Sequence, residues 1–105
     1  MKKLENQCQN NMNDILKKWQ ERLKLNDWYI YLIRENKEII KKNWKSGPNG
    51  DSFFNEKLKV GFIRLAEDNE RTIVHELLHM ANPNATEIEV EKLTIVEIKK
   101  TGGEK

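Results

Sequence analysis

The two prolines of this 105-residue chain, Pro48 and Pro83, each stand in a cluster of turn-forming residues, Ser46-Gly47-Pro48-Asn49-Gly50-Asp51 and Asn82-Pro83-Asn84. Proline has no N–H to give to a helix or a sheet ladder and biases its predecessor away from helical geometry, so regular elements are expected to stop at both points. In the first stretch, Leu4, Cys8, Met12, Ile15, Leu16, Trp19 and Leu23 recur at steps of three and four with no Gly or Pro among them. That spacing predicts a helix over residues 4–25 with one buried face, stopped by Asn26-Asp27. Trp28 to Ile33 is dense in aromatic and β-branched residues and predicts a strand, whereas residues 34–46, with Ile39, Ile40 and Trp44, fit either a strand or an irregular segment. Between the prolines, Phe53-Phe54 and Leu58 to Leu65 predict further strands, with Gly61 marking a bulge or the close approach of another backbone. Glu67-Asp68-Asn69-Glu70 supplies the caps and acids of a helix start, and that helix runs to about Ala81. Beyond Pro83, Thr86 with Glu89 three residues on has the form of a capping box and opens a third helix through about Lys100. Residues 101–105 are expected to fray. The fold class that follows is α+β: an N-terminal helix, a small and mostly antiparallel sheet, then two helices joined by a tight turn, all in one domain over residues 1–100.

Composition narrows the class of protein. With 37% hydrophobic and 34% charged residues, the chain has a small core and a heavily charged surface. No run approaches the ~18 apolar residues of a membrane span, and the Lys-rich start has no apolar stretch behind it to make a secretory signal. Cys8 is the single cysteine, so neither an internal disulfide nor a cysteine zinc cluster is available, and a cytoplasmic, reducing location is expected. Charge is unevenly spread. Residues 1–66 hold 14 Lys and Arg against 8 Asp and Glu, and residues 67–105 hold 5 against 9. The basic first part raises nucleic-acid binding as an idea, but Glu35, Glu38 and Glu56 interleave with Lys41, Lys42, Lys45, Lys57 and Lys59 and no recognition motif accompanies them. A solvated surface is the better reading.

One constellation carries chemistry. Residues 75–79 read His75-Glu76-Leu77-Leu78-His79, and they hold both histidines of the chain. Histidines four apart on a helix lie on one face, ~6 Å apart, and their imidazoles can converge on one zinc ion at ~2.0–2.1 Å. Glu76, beside the first of them, is too far round to ligate easily and is suited to take a proton from water held by the metal. Ile73, Val74, Leu77, Leu78 and Ala81 form the core-facing stripe of the helix, which leaves Thr72, His75, Glu76, His79 and Asn82 on an adjoining face expected to be the rim of a cleft.

A catalytic zinc uses three protein ligands and leaves a position open. With both histidines used, the third ligand is expected to be a carboxylate on the last helix, where Glu87, Glu89 and Glu91 stand. The short connection makes the two helices antiparallel neighbours. Glu87 and Glu91 share a face at i, i+4, while Glu89 points elsewhere with Lys92 and Lys100. On geometry alone Glu87 and Glu91 are nearly equal. Ile88, Thr94 and Ile95 flank Glu91 and would help bury it.

The motif, preceded by Phe62-Ile63-Arg64-Leu65 and followed by Glu87-x-x-Val90-x-x-Leu93, resembles the zincin metallopeptidases, and most closely their small phage and mobile-element members and the ImmA/IrrE-like group. The likeness covers residues 59–98. It implies a minimal zincin-like domain with an N-terminal helix, a strand layer and then the active-site helix. In the ImmA/IrrE-like group the later helix carries E-x-x-A-N-x-x-A, whose first acid is a zinc ligand. That acid falls on Glu87, with Val90 at the small residue and Glu91 where Asn is usual, which ranks Glu87 first and Glu91 second.

The resemblance and the motif together imply a zinc-dependent peptide-bond hydrolase in which His75, His79 and Glu87 hold Zn²⁺ and Glu76 is the general base, acting on a peptide or protein substrate. For the oxyanion, Tyr29, Tyr31, Arg64 and Arg71 are the available donors, each of them better explained by strand packing or surface charge. The edge of the strand over residues 60–65 is expected to take an extended substrate by strand addition, eased by Gly61. Two rivals stand beside this reading: an interaction module stapled by zinc, with a fourth ligand such as Glu91 closing the site, and a nucleic-acid-binding protein.

Overall fold

A computed structural model of the chain describes residues 10–36 and 50–102. Three helices, α1 (Asn10–Arg22), α2 (Glu70–Ala81) and α3 (Glu87–Gly102), surround one side of a sheet of β1 (Tyr29–Arg34), β2 (Gly50–Asn55) and β3 (Val60–Leu65). The α+β class and the order of elements match the expectation. The first apolar positions, Leu4 and Cys8, and the ambiguous stretch with Ile39, Ile40 and Trp44 lie outside the described residues. No helix among the described residues is long and apolar enough to cross a membrane.

α1 buries Met12, Leu16 and Trp19 on one face, as their spacing requires. It ends before Asn26-Asp27. Lys24 adopts a left-handed conformation (φ 62°), Leu25 N–H reaches back to Gln20 O at 2.7 Å, and Lys24 N–H to Glu21 O at 3.2 Å. This is a Schellman cap, which satisfies the last carbonyls of the helix with a lysine at the position glycine usually holds. The buried Gln20 side chain then donates to Leu25 O and Trp28 O, steering the chain into β1. At the other end of the core, Trp19 Nε1 donates to Glu70 Oε2 at 2.6 Å, tying α1 to the start of α2.

The sheet is mixed rather than mostly antiparallel. Its order is β1-β3-β2, with β1 parallel and β2 antiparallel to β3. β3 takes the centre because it is the strand most suited to burial: Ile63 and Leu65 are fully enclosed, and Gly61 admits the Met80 side chain so closely that a Cβ there would lie 2.7 Å from Met80 Cε. Gly61 therefore marks the approach of a helix side chain, not a bulge. Since β3 is paired on both sides, it has no edge to offer a substrate, and that expectation is corrected. Among the described residues β2 lies at an edge of the sheet, against α2. Gly50 lets it lie close, because a Cβ there would fall 2.7 Å from Thr72 Cγ2 and 2.6 Å from Arg64 O.

α2 is the hub, packed against α1, α3, β2 and β3. Asn69 caps it, accepting from Thr72 N–H, and Ile73, Val74 and Leu77 are wholly buried. α3 opens with the predicted capping box: Thr86 N–H donates to Glu89 Oε1 at 2.9 Å and Glu89 N–H to Thr86 Oγ1 at 3.1 Å. It runs through Gly102, two residues into the expected tail, and residues 103–105 lie outside the described part.

Candidate metal centre

The short 82–86 connection folds α3 back along α2, so that the start of α3 lies beside His75 and His79. Glu87, the first residue of α3, sets its carboxylate across both rings: Oε2 is 2.7 Å from His75 Nε2 and Oε1 is 3.0 Å from His79 Nε2. The ring centroids stand 5.0 Å apart at 72°. One ligand atom from each of His75, His79 and Glu87 lies within 4.8 Å of the others, which makes these three a possible metal-holding group.

Glu91 also meets His75, but at the other nitrogen, with Oε1 3.2 Å from Nδ1. Thr94 Oγ1 lies 3.3 Å from the same Nδ1 and gives its own proton to Val90 O at 2.7 Å. Both neighbours of Nδ1 are thus acceptors, which places a ring proton on Nδ1, while Nε2 faces the Glu87 carboxylate and is the nitrogen that would ligate an ion lying between the two. A metal-ligating histidine is commonly oriented in this way. Arg71 pairs with Glu91 and holds it from the next turn of α2. Glu87 and Glu91, near-equal in the sequence, have different places: one across both Nε2 atoms, the other behind His75. Glu89 is spent in the capping box.

Glu76 departs from the expected cleft rim. It is 3% exposed, turned toward the sheet, with Ser52 Oγ of β2 donating to its Oε1 at 2.6 Å. Burial pushes its pKa up to about 8 from an ordinary 4.5; the Ser52 hydrogen bond opposes that rise, and the charges of Glu87 and Asp51 add to it. Burial also lowers the pKa of His79, against the pull of Glu87, and so favours the neutral ring that a metal requires.

The donor set fits zinc. Two imidazoles and a carboxylate are ordinary zinc ligands, and in a tetrahedral shell with bonds of ~2.0–2.1 Å the ligand atoms are ~3.4 Å apart. The present 2.7 and 3.0 Å contacts reach that spacing by a small outward movement of Glu87, whose side chain is half exposed.

Of the candidate oxyanion donors, Tyr29 and Tyr31 alternate with the helix-facing residues of β1 and lie on the outer face of the sheet. Arg64 is held by Asp51 through two hydrogen bonds. Arg71 alone is drawn into the network around His75.

Sequence reasoning missed Ser52, since a lone serine in a strand has no signal and its pairing with Glu76 depends on the strand order. Thr94 had a weak signal, being on the Glu91 side of α3, but its bond to His75 needed the helix pairing. No protein-family model, curated protein or solved structure matches the chain.

Proposed function

We propose that the protein is a zinc-dependent peptide-bond hydrolase. The observation that carries this reading is the convergence of His75 Nε2, His79 Nε2 and the Glu87 carboxylate within 4.8 Å on a helix whose next side chain is the buried carboxyl of Glu76. His75, His79 and Glu87 would hold the ion. An ion held there would supply Lewis acidity toward the carbonyl oxygen and would make water easier to deprotonate.

The chain's own residues do the rest. Glu76 takes the proton of the attacking water and hands it to the leaving amine; burial raises its proton affinity in the metal-free chain, and the charge of an ion beside it would draw it back toward the carboxylate that a base must be. Ser52 holds Oε1 and so orients the carboxyl from the sheet side. Glu91 and Thr94 hold the Nδ1 proton of His75, and Arg71 fixes Glu91. Among the described residues β2 is paired on one side only, and it is the strand that reaches Glu76. Its other edge is where an extended peptide would add as a fourth strand.

Glu91 sits on the far nitrogen of His75, a poor position from which to close the site as a fourth ligand, and this favours the catalytic reading over a zinc staple. The test is elemental analysis of purified protein beside His79→Ala and Glu76→Gln, with digestion of unfolded casein as the activity assay. One zinc per chain is expected in wild type and in Glu76→Gln, with little in His79→Ala and casein cleavage in wild type alone. Zinc bound as tightly after His79→Ala would refute the site. Wild-type cleavage undiminished by Glu76→Gln would refute the mechanism.

A further inference from the structure

On the side of the sheet away from α2, the strands carry an apolar row. The register sets Tyr31 of β1 against Phe62 of β3, and Phe62 against Phe53 of β2. Tyr31 and Phe62 stack with centroids 5.5 Å apart. Tyr29 and Ile33 flank the row on β1, and all five residues are between 36% and 68% exposed. A soluble domain rarely leaves so many large apolar side chains contiguous on one face without a partner.

The charge on this face says what kind of partner fits. Among the described strand residues facing this way, Asp51 and Arg64 are the charged ones, and they neutralise each other: Arg64 Nε is 2.8 Å from Asp51 Oδ1 and Nη2 is 2.5 Å from Oδ2. The guanidinium lies over the Phe53 ring, 5.0 Å from its centroid. A nucleic acid or an anionic membrane needs unpaired cations beside the apolar groups. A neutral apolar face suits another neutral apolar face.

Area agrees. Four half-exposed aromatic rings and an isoleucine offer roughly 450 Å² of apolar surface. A standard interface covers ~800 Å² per partner, about 60% of it apolar, which is ~480 Å². We propose that this face is a self-association surface on which two copies of the chain pack sheet against sheet. The interface is isologous, with the central-strand Phe62 near the two-fold axis and the sheets ~10 Å apart. The metal centre lies on the opposite side of the sheet and stays open in the dimer.

Sedimentation velocity of the full chain from ~5 to ~500 µM tests this, because dimerisation follows mass action. The expected result is a concentration-dependent rise from 12.5 kDa toward twice that mass. Phe62→Glu should weaken the dimer at least ~30-fold, as loss of a central anchor does. Tyr29→Glu, at the rim and the most exposed of the five, should weaken it less, by ~3–10-fold, and provides a variant that folds if Phe62→Glu does not. A single 12.5 kDa species throughout would overturn the proposal, as would a dimer indifferent to both substitutions. Monomeric protein that binds oligothymidylate, and loses that binding in Phe62→Glu, would assign the face to single-stranded nucleic acid instead.

Discussion

His75 and Glu76 are consecutive residues, about 100° apart around α2, and their surroundings are opposite in kind. The side facing α3 is a half-exposed seam in which His75 meets Glu87 and Glu91 at 2.7 and 3.2 Å. The side facing β2 is closed, with Glu76 buried and a single hydroxyl from Ser52 at hydrogen-bond distance. Open, carboxylate-rich surroundings suit ligands that must reach an ion. Closed surroundings raise a carboxyl's affinity for a proton. One helix thereby places two neighbouring side chains in two different environments, and the difference comes from what packs against each face.

The largest expected effect breaks the closed side. In metal-free protein the native state holds the Glu76 proton up to about pH 8, whereas the unfolded chain releases it near its ordinary value. Native protein therefore binds more protons in that window, and the stability Glu76 confers by remaining protonated is fully present below pH 4.5 and lost as pH rises through 8. Glu76→Gln should remove this slope, gaining on the order of 3–5 kcal/mol over wild type between the two ends, read from urea unfolding at several pH values. Parallel pH curves for the two proteins would show that Glu76 ionises normally.

Next is the open side. Glu91→Ala takes away an acceptor at His75 Nδ1 and should weaken zinc binding ~10–100-fold in a chelator competition, while leaving the Glu76 pH slope in place. Equal affinity would mean that Glu91 only pairs with Arg71. Ser52→Ala acts on the closed side again. It should cost about 1–2 kcal/mol of stability at neutral pH. It should also move the upper end of the Glu76 window higher, because the lost hydrogen bond favours the charged form. An unmoved window would dismiss Ser52 as an orienting group. The smallest effect separates the two sides from a distance. Thr86→Ala loosens the cap just before Glu87 and should lower stability by ~1 kcal/mol with a few-fold loss of zinc affinity, again without touching the Glu76 slope.

How far such features could be read in advance depends on how local they are. The capping box of Thr86 and Glu89, the Asn69 cap and the buried stripe of Ile73, Val74 and Leu77 are interactions between residues a few positions apart, and each is found where its spacing put it. The end of α1 is local too, yet Lys24 rather than Asn26-Asp27 turns the chain. A lysine accepts the left-handed conformation because the cap hydrogen bonds and the burial of Leu25 outweigh its intrinsic reluctance. The parallel pairing of β1 with β3 escaped detection for a different reason. It joins residues about 30 positions apart across an intervening strand, and strand propensity says nothing about which strand lies next to which.

By itself, the order of residues determined that two imidazoles share one face of a helix, that a carboxyl stands beside them and that a capped helix bearing acids follows after a tight turn. These are matters of helical period and cap chemistry, which act within a few residues. Tertiary structure alone decided that Glu87 spans both rings while Glu91 stands behind one, and that Glu76 is buried against Ser52 instead of lining a rim. It also decided that β3 has no free edge. Those outcomes depend on which surfaces pack together, and packing is set by the whole chain's burial of apolar area, a quantity no local stretch contains.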